Sequence, residues 1–170
     1  NKLRDQEKII PNEEFTPEEV QALKGCGEDF KCFKKFFYDY NLENNLQKSF
    51  SKLSYLMKYY PDYAGQCHQI THGIGNSELL RQNNDIGKAI SLFTVENLFK
   101  NLSTCGSGYF HGLVEEGARD IKDKDLLVNY FNNVCNQEIV KDKVGNDCIH
   151  GLGHSTFIQT DYNIPDSLYV

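Results

Sequence analysis

The sequence predicts an all-α fold, and three observations support this prediction. Apolar residues recur every three or four positions through most of the chain, as they do along one face of a helix. No alternating stretch of strand length bounded by turn residues competes with this pattern. Three similar histidine-containing segments are separated by 43 and 39 residues, counted from His68 to His111 and from His111 to His150. Because this is the length of a two-helix repeat, we expect repeated helical hairpins that form a curved bundle or a short α/α toroid around a central polar site.

The first part of the chain contains clear helix signals. Thr16, Pro17 and Glu19 form a capping box that starts a short helix, and Gly25 is expected to end it. Two amphipathic helices should follow, the second of which stops at Pro61. Their apolar faces are predicted to consist of Phe30, Phe33, Phe37 and Tyr40, and of Leu46, Phe50, Leu53, Met57 and Tyr60.

The rest of the chain is predicted to alternate inner helices, which carry the histidines, with outer helices. The first inner helix should cover 65–82, and Asp85 can cap the outer helix after it. A second inner helix should end near Ile121. A further outer helix around 127–134 and a third inner helix over 148–159 complete the pattern.

All five histidines lie in the three similar segments. Aligned on their first histidine, the segments give three pairs of polar side chains, each separated by four residues. On a helix this spacing places both members of a pair on one face, one turn apart. We therefore predict one metal centre to which the three inner helices contribute these ligands: His68, His72, His111, Glu115, His150 and His154.

Five glycines lie inside or beside the proposed ligand helices: Gly73, Gly75, Gly112, Gly151 and Gly153. Each costs a helix interior about 1 kcal/mol relative to alanine. One explanation is that small residues allow the helix backbones to approach closely around a crowded centre. The alternative is that the glycines mark loops, in which case the four-residue spacing would lose its meaning.

Six ligands exceed the four of a structural zinc site, so the pattern suits one near-octahedral ion or, more naturally, two ions with three ligands each. Imidazole selects iron, copper or zinc over calcium and magnesium. Glu115 could also bridge two ions, and Glu115 or Glu116 could act as a general base. We include Tyr109 with these two carboxylates in the predicted catalytic group, because its hydroxyl could orient an imidazole.

Histidine-dominated ligation favours a non-haem metalloenzyme with redox chemistry, an oxidoreductase that uses iron or copper and a small-molecule substrate. One alternative is a zinc-dependent hydrolase, in which a metal-bound hydroxide attacks the substrate. Another is a metal-binding or metal-delivery module without catalysis. Nucleophilic catalysis by Cys148 and His150 would require an unpaired cysteine and would leave two of the three segments unexplained.

Length and charge limit the choice further. The 170 residues suit a flexible arm over 1–15 and a single metal-binding domain over 16–170. The net charge of −6, without a basic cluster, argues against nucleic acid as a partner. No apolar run approaches the roughly 20 residues needed to span a membrane.

The six cysteines suit three disulfides and therefore an oxidising, extracellular or periplasm-like compartment. The expected pairs are Cys26–Cys32, Cys67–Cys105 and Cys135–Cys148. In the alternative interpretation, the three cysteines nearest the histidines are thiolate ligands of the metal.

Overall fold

A computed structural model describes residues 14–95, 105–143 and 146–159 of the chain. In these three ranges every regular element is helical and no strand occurs. The all-α prediction is therefore confirmed. The elements are α1 (Pro17–Cys26), α2 (Phe30–Glu43), α3 (Leu46–Tyr59), a 3-10 segment (Pro61–Gln66), α4 (Cys67–Arg81), α5 (Ile86–Val95), α6 (Gly106–Ala118), α7 (Lys124–Cys135), α8 (Glu138–Lys143) and α9 (Asn146–Gln159).

Local signals explain where the helices begin and end. The Thr16 side chain accepts a hydrogen bond from the Glu19 backbone, and the Glu19 carboxylate accepts one from the Thr16 backbone, so the capping box is confirmed. Asp85 caps α5 by accepting a hydrogen bond from the Lys88 backbone at 2.9 Å. The prediction that Gly25 ends α1 was wrong by two residues. The helix continues to Cys26, and Gly27, with a left-handed φ of 56°, ends it.

Four helices lie side by side in the order α2, α4, α6 and α9. The most extensive contacts join α4 to α6, α2 to α4, and α6 to α9. The other helices flank this row. Helix α3 packs against α2 and α4, α5 against α6 and α8, and α7 against α8 and α9. All three histidine-containing helices (α4, α6 and α9) belong to the row.

Much of the predicted aromatic and aliphatic stripes is buried in the core, but Phe30, predicted to lie on the apolar face of α2, is 45 % exposed. Among the larger side chains that are less than 2 % exposed are Phe33, Phe37, Phe50, Leu53, Leu56, Ile70, Ile74, Leu79, Tyr109 and Leu113. Phe15, at the end of the predicted arm, packs its ring against Phe36 and Tyr55. The rest of that arm, residues 1–13, and the tail from 160 lie outside the described residues.

The glycines of the ligand segments are helical, because Gly73 and Gly75 lie within α4, Gly112 lies within α6, and Gly151 and Gly153 lie within α9. The loop alternative was therefore wrong. No helix in the described parts of the chain combines the length and the apolar character needed to cross a membrane.

Candidate metal centre

Helices α4 and α6 touch through their backbones along a seam of glycines. A Cβ atom added at Gly108 would overlap the carbonyl oxygen of His68, and one added at Gly112 would overlap that of His72. A Cβ at Gly75 would overlap the carbonyl oxygen of Tyr109. Since neither backbone can yield locally, only glycine permits this approach. We call these three glycines the glycine seam.

The seam also gives the direction and register of the helices. His68 and His72 lie opposite Gly108 and Gly112, so the residue numbers of α4 and α6 increase in the same direction and the two helices are parallel. Asn76 extends the pairing by donating a hydrogen bond to the Gly112 carbonyl at 3.0 Å.

Related glycine contacts occur on both sides of the seam. A Cβ at Gly73 would overlap the carbonyl oxygen of Lys34 in α2, whereas one at Gly151 would meet His111 less closely, 3.2 Å from its ring carbon Cδ2 and 3.7 Å from its Cα. Gly73, Gly112 and Gly151 each directly follow a histidine. His72, His111 and His150 therefore occupy equivalent positions in α4, α6 and α9. The sequence alignment on first histidines was therefore displaced by one turn in the first segment, where His68 had been matched to His111.

His68, His72 and His111 form the compact part of the centre. One ring nitrogen from each can be chosen so that all three lie within 4.8 Å of one another. The Nε2 atoms of His68 and His72 are 3.1 Å apart. With metal–nitrogen bonds of about 2.05 Å, that separation corresponds to an angle of roughly 100° at the metal, between octahedral and tetrahedral values. These three histidines can therefore hold a metal ion.

Glu115 lies beside this triad and contacts His72 on the ring nitrogen opposite His68. Its Oε1 is 2.9 Å from His72 Nδ1, and its Oε2 is 3.3 Å from Lys34 Nζ. Burial alone would raise the pKa of the Glu115 carboxyl, but the hydrogen bond and charge of His72, together with the Lys34 ammonium, outweigh it and lower the pKa to about 2. The Glu115 carboxylate thus lies on the Nδ1 side of the His72 ring, while the Nε2 atom of His72 faces His68.

His111 is the most enclosed of the histidines, with no exposed surface. Neither of its ring nitrogens has a hydrogen-bond partner among the described residues. Burial, together with the charges of the surrounding histidines, lowers its pKa to about 3, so the ring is neutral at physiological pH. A buried polar group without a partner costs about 1–3 kcal/mol, and a metal ligand bond would remove that cost.

Helix α9 brings the last two histidines to the same cluster. The ring centroids of His150 and His154 lie 4.8 and 5.1 Å from that of His111, and the His154 centroid lies 6.0 Å from that of His72. The Nε2 atoms of His150 and His154 are 3.1 Å apart, as in the His68/His72 pair. Both α9 histidines are exposed. The structure thus assembles all five histidines, with one buried side and one side open to solvent.

The remaining predicted site residues lie at the edge of the cluster or away from it. Glu116 forms an ion pair with Arg119, and burial raises the pKa of its carboxyl group. The Tyr109 hydroxyl donates a hydrogen bond to the Ala89 carbonyl of α5 at 3.1 Å. The catalytic roles predicted for Glu115, Glu116 and Tyr109, and the ligand role of Glu115, stay predictions.

All six cysteines form disulfides, and the three predicted pairs are confirmed: Cys26–Cys32, Cys67–Cys105 and Cys135–Cys148. The thiolate-ligand interpretation and nucleophilic catalysis by Cys148 are thereby excluded. Cys67–Cys105 joins the start of α4 to the residue before α6, and Cys135–Cys148 joins the end of α7 to α9. Cys67–Cys105 therefore links two ligand helices directly, and the three disulfides suggest an oxidising, extracellular-type compartment.

Sequence reasoning missed Lys34, which occupies the position in α2 that His72 occupies in α4. Lysine is not a typical metal ligand, so no ligand pattern pointed to it. The only available signal was its distance of 38 residues from His72, close to the repeat length.

The fold and the site define a disulfide-bonded, all-α protein with a clustered histidine centre that can hold a metal ion. Comparison of the chain with protein-family models, with curated proteins and with solved structures finds no match. The function must therefore be inferred from the geometry of the centre.

Proposed function

We propose that this protein is a transition-metal-binding protein of an extracellular or periplasm-like compartment, and that its histidine centre performs non-haem redox chemistry with copper or iron. The observation that carries the proposal is His111, a fully buried imidazole with two unpartnered nitrogens beside two convergent pairs of histidines. Imidazole ligands suit copper, iron and zinc.

The proposed ligands are His68, His72 and His111, joined by His150 and His154 on the exposed side. In this proposal Glu115 supports the centre by fixing the orientation of His72, because both of its oxygens already have partners. The exposed side, near the α9 histidines, is where a small-molecule substrate would reach the ion.

The positions of the carboxylates favour redox chemistry over zinc-dependent hydrolysis. A hydrolase requires a general base that is free to take a proton from metal-bound water. Glu115 is bound between His72 and Lys34, and Glu116 is paired with Arg119. A centre built mainly from imidazoles instead suits an ion that changes its oxidation state.

Metal delivery is a second candidate function, and one observation favours it. His150 and His154 are exposed while His72 and His111 are buried. An ion could therefore be taken up or released through the α9 pair without opening the α4–α6 seam.

We also infer that the helical hairpins are repeats of one unit arranged as a curved bundle or short toroid. The recurrent glycine contacts at Gly73, Gly112 and Gly151 support this inference, since each relates one inner helix to the preceding one by the same register.

The test is to express the protein with its disulfides intact in metal-replete medium, measure bound metals by elemental analysis, and record absorption spectra during a redox titration. Copper or iron that cycles reversibly between oxidation states supports the proposed function. Bound zinc alone would refute the redox role, and no bound metal would refute the centre itself. A redox-active ion that passes quickly to a weak chelator would instead support delivery.

A matched pair of variants makes this test specific. His72→Ala removes a proposed ligand and should abolish most of the metal content. Lys35→Met alters an exposed residue of α2 whose ion pair with Asp39 lies on the surface, and should leave the metal content unchanged. Equal metal loss in both variants would point to misfolding.

A further inference from the structure

His111 lies between two pairs of histidines. Its ring centroid is 5.3 Å from those of His68 and His72 on one side, and 4.8 and 5.1 Å from those of His150 and His154 on the other. In each pair the two Nε2 atoms are 3.1 Å apart, a separation suited to adjacent ligands of one ion. The centre therefore contains two sets of paired donors, and His111 contacts both.

A single metal ion would leave the environment of His111 incomplete. Histidine ligands normally bind the metal with one ring nitrogen and donate the other N–H to a carboxylate, a carbonyl or water. His72 has a carboxylate in the position that this rule requires, because Glu115 Oε1 lies 2.9 Å from its Nδ1. His68 has the Ser107 hydroxyl 3.5 Å from its Nδ1. His111 has no exposed surface and no partner for either nitrogen among the described residues.

We propose that the centre binds two divalent transition-metal ions, preferably Cu(II), joined by the imidazole ring of His111. His68, His72 and one nitrogen of His111 hold the inner ion, and His150, His154 and the other nitrogen of His111 hold the outer ion. This inference rests on the proposed metal-binding function and specifies its nuclearity. The sequence pattern already suited two ions with three ligands each more naturally than one ion, but it did not identify a bridging residue among the histidines.

The two ring nitrogens of His111 can supply an electron pair for each of the two metal–nitrogen bonds. Neutral His111 has one nitrogen lone pair, which binds the first ion. Binding of the second ion displaces the remaining N–H proton to solvent, and the freed electron pair forms the second metal–nitrogen bond. Neither metal changes its oxidation state. Each ion then has three nitrogen ligands from the chain and retains open coordination positions.

The burial of the two pairs predicts unequal exchange. The inner ion lies beside the buried His72, whereas both side chains of the outer pair are exposed. We expect the outer ion to be removed first by a chelator and the inner ion to remain longer.

The experiment uses the full disulfide-bonded protein, stripped of metal and titrated with Cu(II). Elemental analysis counts the ions, and electron paramagnetic resonance counts the unpaired spins. The expected result is two copper ions per chain, with a spin count that rises with the first ion and falls with the second. The fall arises because an imidazolate bridge couples two Cu(II) spins antiferromagnetically.

Three variants separate the bridge from simple binding. His154→Ala should bind one copper with a full spin count, because the outer pair is lost. His111→Ala should lose the magnetic coupling, whatever amount of copper it retains. Ser155→Ala removes a hydroxyl beside His154 and no proposed ligand, and should behave as the wild type does. Circular dichroism of each variant confirms that the helices are present.

Several outcomes would overturn the bridge. One copper per chain at saturation would refute it while leaving the proposed mononuclear function intact, and so would two coppers with a full spin count. Coupling that survives in His111→Ala would show that another group joins the ions. No bound copper, zinc or iron would remove both the bridge and the proposed function.

Discussion

Gly112 provides a direct test of the contact that positions the two buried ligand helices. In Gly112→Ala the new Cβ would overlap the His72 carbonyl oxygen and lie 2.9 Å from the Asn76 backbone nitrogen. Relieving the overlap with the His72 carbonyl oxygen requires α4 and α6 to separate locally by at least about 1 Å. Overpacking of this kind costs about 1–3 kcal/mol, and the higher helix propensity of alanine offsets about 1 kcal/mol of that cost.

The same displacement should weaken metal binding. Metal–ligand distances tolerate changes of about 0.2 Å, less than the required separation of α4 from α6. We therefore expect Gly112→Ala to lower metal affinity by at least about tenfold, equivalent to about 1.4 kcal/mol. Because the displaced groups belong to the backbone, side-chain repacking cannot compensate.

Two measurements and one control separate these effects. Denaturant unfolding in excess chelator reports the stability of the metal-free fold, and metal titration of the folded protein reports affinity. The control is Gly153→Ala in α9, where an added Cβ meets nothing within 4 Å. It should be neutral or stabilising by up to about 1 kcal/mol. The reasoning would be refuted if Gly112→Ala matched the wild type in both stability and affinity.

Three further predictions concern the metal, the disulfides and the positioning charge. Chelation should lower the melting temperature of the metal-loaded wild type but hardly affect that of His111→Ala. Metal binding adds about 2.7 kcal/mol to the free energy of unfolding when the free metal concentration is 100 times the dissociation constant. An equal drop in the melting temperature of both proteins would contradict the site. Replacing Cys67 and Cys105 by alanine should lower the free energy of unfolding by about 4 kcal/mol, because the unfolded chain regains the loop-closure entropy of a 38-residue separation. Calorimetry that shows no loss of stability would contradict this prediction. Lys34→Met should weaken metal affinity about 10-fold or more by releasing Glu115, whereas Lys35→Met should not; equal affinities in titration would show that Lys34 has no positioning role.

Much of the fold was predictable because the signals are local. The capping box at Thr16 and the aromatic spacing of α2 depend only on neighbours along the chain. The even number of cysteines indicated disulfides, although it did not determine how the cysteines pair. The glycines of the ligand helices also indicated close helix packing correctly, because each glycine destabilises a helix and its presence there requires a packing explanation.

The register of the centre was less predictable because it depends on contacts between helices. Matching His68 with His111 is reasonable in sequence, but the seam pairs His72 with Gly112 and shifts the first segment by one turn. The partnership of Lys34 with Glu115 spans 81 residues and involves a residue type outside any ligand pattern. The true register did leave a trace, because His72, His111 and His150 are spaced by 39 and 39 residues, whereas nothing in the sequence links Lys34 to Glu115.

The glycine seam also bears on how the protein would choose its metal. Repulsion between atoms in contact rises steeply, so the spacing of α4 and α6 is limited by backbone atoms rather than by side chains that can repack. The donor atoms of His68, His72 and His111 are thus largely preorganised, and the entropy of ordering them is lost during folding rather than during binding. An ion whose preferred bond lengths match this spacing binds without reorganisation, whereas a poorly matched ion must strain its own coordination sphere. Selectivity for the metal then depends on the distance between the α4 and α6 backbones. Substitutions outside the glycine seam should leave this selectivity unchanged.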